Sequence, residues 1–153
     1  MNTSDPIRVA VVEDKMVFRR GLGAIFELTP GIECVGMYAT GEEALREIPK
    51  VGPDVVLMDL NLPGLSGIEC TRELKRLRPS SQVLMLTIEE NSERVFAALR
   101  GGATGYLLKA ATPAEIIEGI QLVAQGGAPM SAVIARRVVF FPVSDQLPSP
   151  DKA

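Results

Sequence analysis

Residues 55–67, VVLMDLNLPGLSG, decide the fold of this chain. Val55, Val56, Leu57 and Met58 are an unbroken apolar run, Asp59 ends it, and Asn61, Pro63 and Gly64 turn the chain away. An apolar run without polar alternation predicts a strand covered on both faces, as in a parallel sheet. A carboxylate at its end costs desolvation free energy unless something compensates it.

Apolar strands and amphipathic helices alternate on either side of this run. Ile7 to Val12 ends at Glu13-Asp14, and Phe18, Leu22, Ile25 and Phe26 then recur at helical spacing until Pro30-Gly31. Cys34 to Ala39 is a weaker strand. Thr40 with Glu43 has the spacing of a capping box and opens a helix that ends before Gly52-Pro53. Ser66 with Glu69 repeats that signature, and Cys70, Leu74 and Leu77 are spaced to line one helix face. Val83 to Thr87 is a fourth strand, Val95, Ala98 and Leu99 mark a helix closed by Gly101-Gly102, and Gly105 to Lys109 is a short fifth strand. Thr112-Pro113-Ala114-Glu115 joins an N-cap, a first-turn proline and a capping glutamate ahead of the stripe Ile116, Ile117, Ile120, Val123 and Ala124. Five β-α units predict an α/β fold, a doubly wound parallel sheet of strand order 2-1-3-4-5 with helices on both faces.

Beyond Pro129 the pattern changes. SAVIARRVVFF, 131–141, predicts a short extra helix with Arg136 and Arg137 exposed, and the following stretch is rich in Pro and Ser. The expected organisation is one domain over 1–128, an extension helix over 129–141 and a linker or disordered tail over 142–153.

The 153 residues are enough to bury about two-thirds of the surface the unfolded chain exposes. A net charge of −3 argues against a nucleic-acid surface on this chain. No run of about 18 apolar residues occurs, and Met1 to Pro6 lacks a signal-peptide core, so a cytoplasmic protein without membrane contact is expected. Cys34 and Cys70 are in no metal-ligand spacing and read as reduced, partly buried thiols. The chain has no histidine. That excludes triads with a His base, imidazole metal sites and phosphohistidine chemistry on this chain.

In doubly wound sheets ligands bind beyond the carboxyl ends of the strands. That rule selects Glu13, Asp14, Asp59, Thr87 and Lys109. Three carboxylates in one pocket raise each other's pKa or recruit a cation, and hard oxygen ligands suit Mg²⁺. A carboxylate can attack phosphorus to give an aspartyl-phosphate, with positioning and electrostatics supplying nearly all the rest. On this reading Asp59 is the nucleophile, Asp14 a metal ligand, and Glu13 a ligand directly or through water. The Asn61 backbone carbonyl is a further ligand, and Thr87 and Lys109 bind phosphoryl oxygens. Each residue also has a plainer reading: Asp59 as an Asx-turn former, Glu13-Asp14 as a helix N-terminal charge pair, Thr87 as a strand-end residue, Lys109 as a surface charge, Tyr106 as a half-buried packing residue.

Together, VAVVEDKMVFRRGL (9–22), VVLMDLNLPGLSGIE (55–69), VLMLT (83–87) and GATGYLLKAATPAEI (102–116) resemble the receiver domain of bacterial response regulators, in that family's order and spacing from about Ile7 to Gly127. The resemblance implies a flavodoxin-like fold with Asp59 as phosphoacceptor, Glu13 and Asp14 as the acidic pair binding Mg²⁺ or Mn²⁺, and Lys109 as the phosphoryl-binding lysine. It implies Thr87 and Tyr106 as switch residues, and Asn61 and Glu89 as positions that tune phosphoryl lifetime. The phosphodonor it implies is a phosphohistidine on a sensor histidine kinase, and it makes the chain a regulatory switch rather than an enzyme. Phe18-Arg19, GYLLK followed by Ala110, and GGAPMSAVIARRV (126–138) resemble the NarL/FixJ (LuxR-type) branch. That branch implies a DNA-binding helix-turn-helix domain after the linker, transcription as output, and allows a homodimer. The expectation is a receiver separated from its effector domain; the alternative is a natural stand-alone receiver acting by protein–protein contact.

Two departures stand out. Lys15 follows the acidic pair and would compete with a metal if it swung inward, and Ile88 is bulky where the family has a small residue and would restrict donor access. The polarity of Asn61 and Glu89 points to a short-lived phosphorylated state. Two rival functions lose on particular residues. A haloacid-dehalogenase-type phosphatase needs a second acid where Asn61 stands, and a flavodoxin-like binding module needs a phosphate loop where Glu13-Asp14 would repel it.

Overall fold

The computed structural model describes residues 5–140. The expected 142–153 tail lies outside the described residues. In chain order the elements are β1 (Ile7–Val12), α1 (Met16–Glu27), β2 (Ile32–Tyr38), α2 (Gly41–Val51), β3 (Val55–Met58), α3 (Gly67–Leu77), β4 (Gln82–Thr87), α4 (Ser92–Arg100), β5 (Ala103–Leu108), α5 (Pro113–Ala124) and α6 (Ala132–Phe140). The five strands form one sheet in the order β2-β1-β3-β4-β5, and every pairing is parallel, as expected.

β3 shows why the unbroken apolar run is required. Its four side chains are all buried. Val55 and Leu57 join the layer beneath α1 and α5, with Leu22, Phe26, Ile116 and Ile120. Val56 and Met58 face the opposite layer, with Ile48, Cys70, Leu74 and Val95 from α2, α3 and α4. Burying each such side chain contributes about 1.5–3 kcal/mol, which holds the strand end, and hence Asp59, in place.

The helix starts behave as their sequences predict, with variations. Thr112 makes the full capping box: its hydroxyl accepts from Glu115 N, and Glu115 Oε1 accepts from Thr112 N at 2.8 Å. Thr40 accepts from Glu43 N, but the Glu43 carboxylate reaches one residue further back, to Ala39 N. Ser66 accepts from Glu69 N. Asn91 caps α4 through Arg94 N. Of the predicted α3 face, Cys70 and Leu74 are buried while Leu77, the last residue of the helix, is 47% exposed. Ala124 is likewise exposed at the end of α5. Cys70 is fully buried and burial lifts its thiol to about 12, whereas Cys34 is exposed on the edge strand β2.

The expected extra helix is α6, and it is packed rather than loose. Ile134 is fully buried in the α2–α3–α4 layer, and Arg137 Nη2 lies 3.4 Å from Glu90 Oε1. The segment before α6 crosses the outer edge of β5: Tyr106 N donates to Pro129 O at 2.9 Å, and Ser131 N donates to Tyr106 O at 3.0 Å. Among the described residues, no helix is long and apolar enough to cross a membrane.

Candidate functional site

Sheet hydrogen bonding carries one step past the ends of the strands and fixes the site's backbone. Glu13 N donates to Tyr38 O, Asp59 N to Val12 O, and Lys109 N to Thr87 O, at 2.9, 3.0 and 2.9 Å. Since β1 lies between β2 and β3, and β4 between β3 and β5, these bonds bring residues 13, 59 and 109 to one end of the sheet.

The side chains converge there. Carboxylate oxygens of Glu13, Asp14 and Asp59 lie within 4.8 Å of one another. Asp59 is 5% exposed; its Oδ2 accepts from Lys109 Nζ at 3.1 Å and its Oδ1 from Asn61 N at 3.2 Å. The plainer Asx-turn reading of Asp59 is thus realised, but alongside the ion pair rather than instead of it. Glu13, 2% exposed, spends both oxygens: Oε1 lies 2.7 Å from Lys109 Nζ, and Oε2 accepts from Lys15 N at 2.8 Å. Its carbonyl accepts from Arg19 of α1 at 2.7 Å, which pins the β1–α1 loop.

Burial pushes the Glu13 carboxyl above its ordinary range and the Asp59 charge adds to the rise, while the Lys109 and Lys15 N–H bonds pull it back. Burial works to lower Lys109, but its bonds to Glu13 and Asp59 more than offset this and leave the ammonium harder to deprotonate than a free lysine. The Phe18 ring, its centroid 4.6 Å from the Lys109 Nζ, covers the ammonium from the α1 side and adds a cation–π contact.

Asp14 is different. Its Oδ1 is buried without a hydrogen-bond partner, and its Oδ2 lies 3.2 Å from the Lys15 ammonium. A buried carboxylate oxygen without a donor is costly, and three clustered carboxylates with one such oxygen fit a hard divalent cation. Lys15 itself is 71% exposed and reaches only the outer oxygen of Asp14.

Thr87 is fully buried, and its hydroxyl accepts from Glu89 N at 3.4 Å. Tyr106 is also fully buried, not half-buried as its plain reading expects, and its hydroxyl donates to Glu89 O at 2.8 Å. Burial and the nearby Glu89 carboxylate push that phenol well above its ordinary value. Ile88, between these groups, is 71% exposed at the mouth of the site.

Some contributing residues escaped the sequence reading. Gly67 opens α3 directly against the Asp59 backbone: a Cβ there would collide with the Asp59 carbonyl oxygen and stand 2.7 Å from Leu60 Cα. A glycine in the first turn behind a good N-cap, where no positive φ is needed, is the signal that would have shown it. Arg94, in the first turn of α4, reaches Asn61 and Glu89, and a cation at a helix N-terminus opposes the dipole and so needs a partner to explain it.

The response regulator receiver domain family matches residues 9–121. The transcriptional regulatory protein DegU of Brevibacillus brevis is 36% identical over 87% of this chain, and the nitrate/nitrite response regulator protein NarP of Escherichia coli (strain K12) is 36% identical over 90%. The chain spans 56% of the first and 62% of the second. The crystal structure of a LuxR family two-component response regulator from Aurantimonas sp. SI85-9A1 superimposes with a TM-score of 0.83 at 33% identity, over 88% of this chain and 96% of that one. Strand order, acidic cluster and relatives agree: the chain belongs to the response regulator receiver domain family, in its NarL/LuxR-type branch.

Proposed function

We propose that this chain is a phosphorylation-controlled switch whose phosphoacceptor is Asp59. The observation that carries the reading is the setting of that carboxylate, which is 5% exposed, paired to the Lys109 ammonium at 3.1 Å and clustered within 4.8 Å of carboxylate oxygens of Glu13 and Asp14. An Asp59 oxygen attacks phosphorus, the N–P bond of a partner kinase's phosphohistidine breaks, and the imidazole leaves with the electron pair. Lys109 and the Thr87 hydroxyl bind phosphoryl oxygens. Asp14, Asp59, the Asn61 carbonyl and Glu13, directly or through water, would hold Mg²⁺ or Mn²⁺. When bound, that cation supplies charge that neutralises the transferring group.

Phosphorylation draws the already buried Thr87 hydroxyl toward the phosphoryl group, and Tyr106, bonded to the Glu89 carbonyl on the same loop, follows by re-pairing, shifting the α4 face between two states. The chain catalyses only its own phosphorylation and dephosphorylation, with Asn61 and Glu89 tuning the lifetime. Its organisation is a receiver over 1–128, an extension over 129–141 and a linker over 142–153. Its partners are a sensor histidine kinase, a second copy of the chain, and DNA through a C-terminal domain, all in the cytoplasm. The phosphatase reading is disfavoured by Asn61, an amide that accepts from Arg94 instead of an acid that protonates a leaving group.

Incubation with Mg²⁺ and acetyl phosphate, followed by intact mass, tests the proposal. A single phosphoryl adduct on the wild type and none on Asp59→Asn is expected. An unmodified wild type that also fails to bind beryllofluoride overturns it.

A further inference from the structure

Asn61 and Glu89 stand two residues after Asp59 and Thr87, on the loops that leave the neighbouring strands β3 and β4. One side chain from a third element joins them. Arg94 Nη2 donates to Asn61 Oδ1 at 3.2 Å, and Arg94 Nε lies 3.4 Å from Glu89 Oε1. Glu89 is the node of this loop: Oε2 accepts from Asn91 N, its carbonyl accepts from the Tyr106 hydroxyl, and its N–H donates to Thr87 Oγ1. Arg94 sits in the first turn of α4, where the helix dipole disfavours a cation, and its side chain is 44% exposed. An ion pair that exposed adds little to stability, so its consequence lies in placement and charge.

We infer that Arg94 is a positioning residue for phosphoryl transfer to Asp59: it neutralises Glu89 and fixes Asn61 at the mouth of the site, so that an anionic phosphodonor meets no free carboxylate there. The inference rests on Asp59 being the phosphoacceptor. Without the guanidinium, Glu89 projects an uncompensated negative charge beside the path of an incoming phosphate, and the Asn61 side-chain oxygen loses its anchor on α4. Repulsion of this kind acts on the encounter step and is screened by salt.

The experiment follows the rate of Asp59 phosphorylation by acetyl phosphate at low ionic strength in four proteins: wild type, Arg94→Ala, Arg94→Lys and Arg94→Ala with Glu89→Gln. Arg94→Ala is expected to react about three- to tenfold more slowly, with a deficit that shrinks as salt is added. Arg94→Lys keeps the charge and recovers most of the rate. The added Glu89→Gln removes the unpaired carboxylate and restores the rate, a rescue that a merely structural role for Arg94 would not give. A wild type that is never phosphorylated overturns the Asp59 reading and this inference with it. A phosphorylated wild type whose rate Arg94→Ala matches, or a deficit that Glu89→Gln leaves in place, overturns the role of Arg94 alone.

Discussion

The Lys109 ammonium lies closer to Glu13 Oε1, at 2.7 Å, than to the Asp59 oxygen it also reaches, at 3.1 Å. Glu13 therefore holds the lysine in place while it serves Asp59. Lys109→Met leaves Glu13 and Asp59 buried without their cation, and breaking a buried pair this way costs about 3–5 kcal/mol. Urea unfolding should show most of that loss, and adding Glu13→Gln should recover part of it. A loss under about 1 kcal/mol would mean that water already compensates the carboxylates.

Asp14 carries the partnerless oxygen, so its charge is a liability in the metal-free protein. Asp14→Asn removes one of three carboxylates within 4.8 Å of one another and should raise metal-free stability by about 1 kcal/mol, the repulsion of two like charges roughly 4 Å apart in a water-like dielectric. Wild type should gain about 2–3 kcal/mol at Mg²⁺ concentrations far above the dissociation constant, while the variant gains little. Thermal melts with Mg²⁺ and with a chelator measure both. Equal Mg²⁺ responses in the two proteins would remove Asp14 from the ligand set.

Tyr106 is locked by burial and by its bond to Glu89 O, and the phenol titrates above the ordinary value of 10.0. Tyr38, the other tyrosine, is also raised, through burial. The tyrosinate absorbance of the native chain should thus appear only above pH 10, and Tyr106→Phe should remove the later-rising part. Because the native phenol keeps its proton while the unfolded one loses it, native stability falls as pH rises through 10 and beyond. Tyr106→Phe should cost about 1 kcal/mol at neutral pH and flatten that fall.

The α6 helix is held chiefly by Ile134, which is fully buried in the α2–α3–α4 layer. Ile134→Ala should cost about 2–5 kcal/mol if α6 folds with the sheet as one unit. Hydrogen exchange should then show α6 and α4 opening together. Rapid exchange of α6 alone, with unchanged global stability, would make it an independent appendage.

Much of this was legible in the sequence, for identifiable reasons. The β3 run and the residues ending each strand follow from periodicity and from where parallel sheets place ligands, so Glu13, Asp14, Asp59, Thr87 and Lys109 were found together. Arg94 and Gly67 were not, because their meaning lies across the fold. Arg94 finds Asn61 33 positions away, and the collision that excludes a side chain at Gly67 is set by how α3 lies against the strand end. Such distances leave no period in a sequence. Tyr106 was legible as a residue but not as fully buried, since the segment that crosses β5 comes from beyond the last predicted β-α unit.

That crossing segment bears on self-association. An outermost strand offers unpaired N–H and C=O groups to any passing chain, and sheets extend by such additions. Here the Tyr106 N–H and carbonyl are already taken by Pro129 and Ser131, and the Ser131 hydroxyl accepts from Leu108 N. Residues 129–131 thus act as a selvedge on the sheet, and a chain trimmed after Ala128 would present the strand bearing Tyr106 as an open template for aggregation.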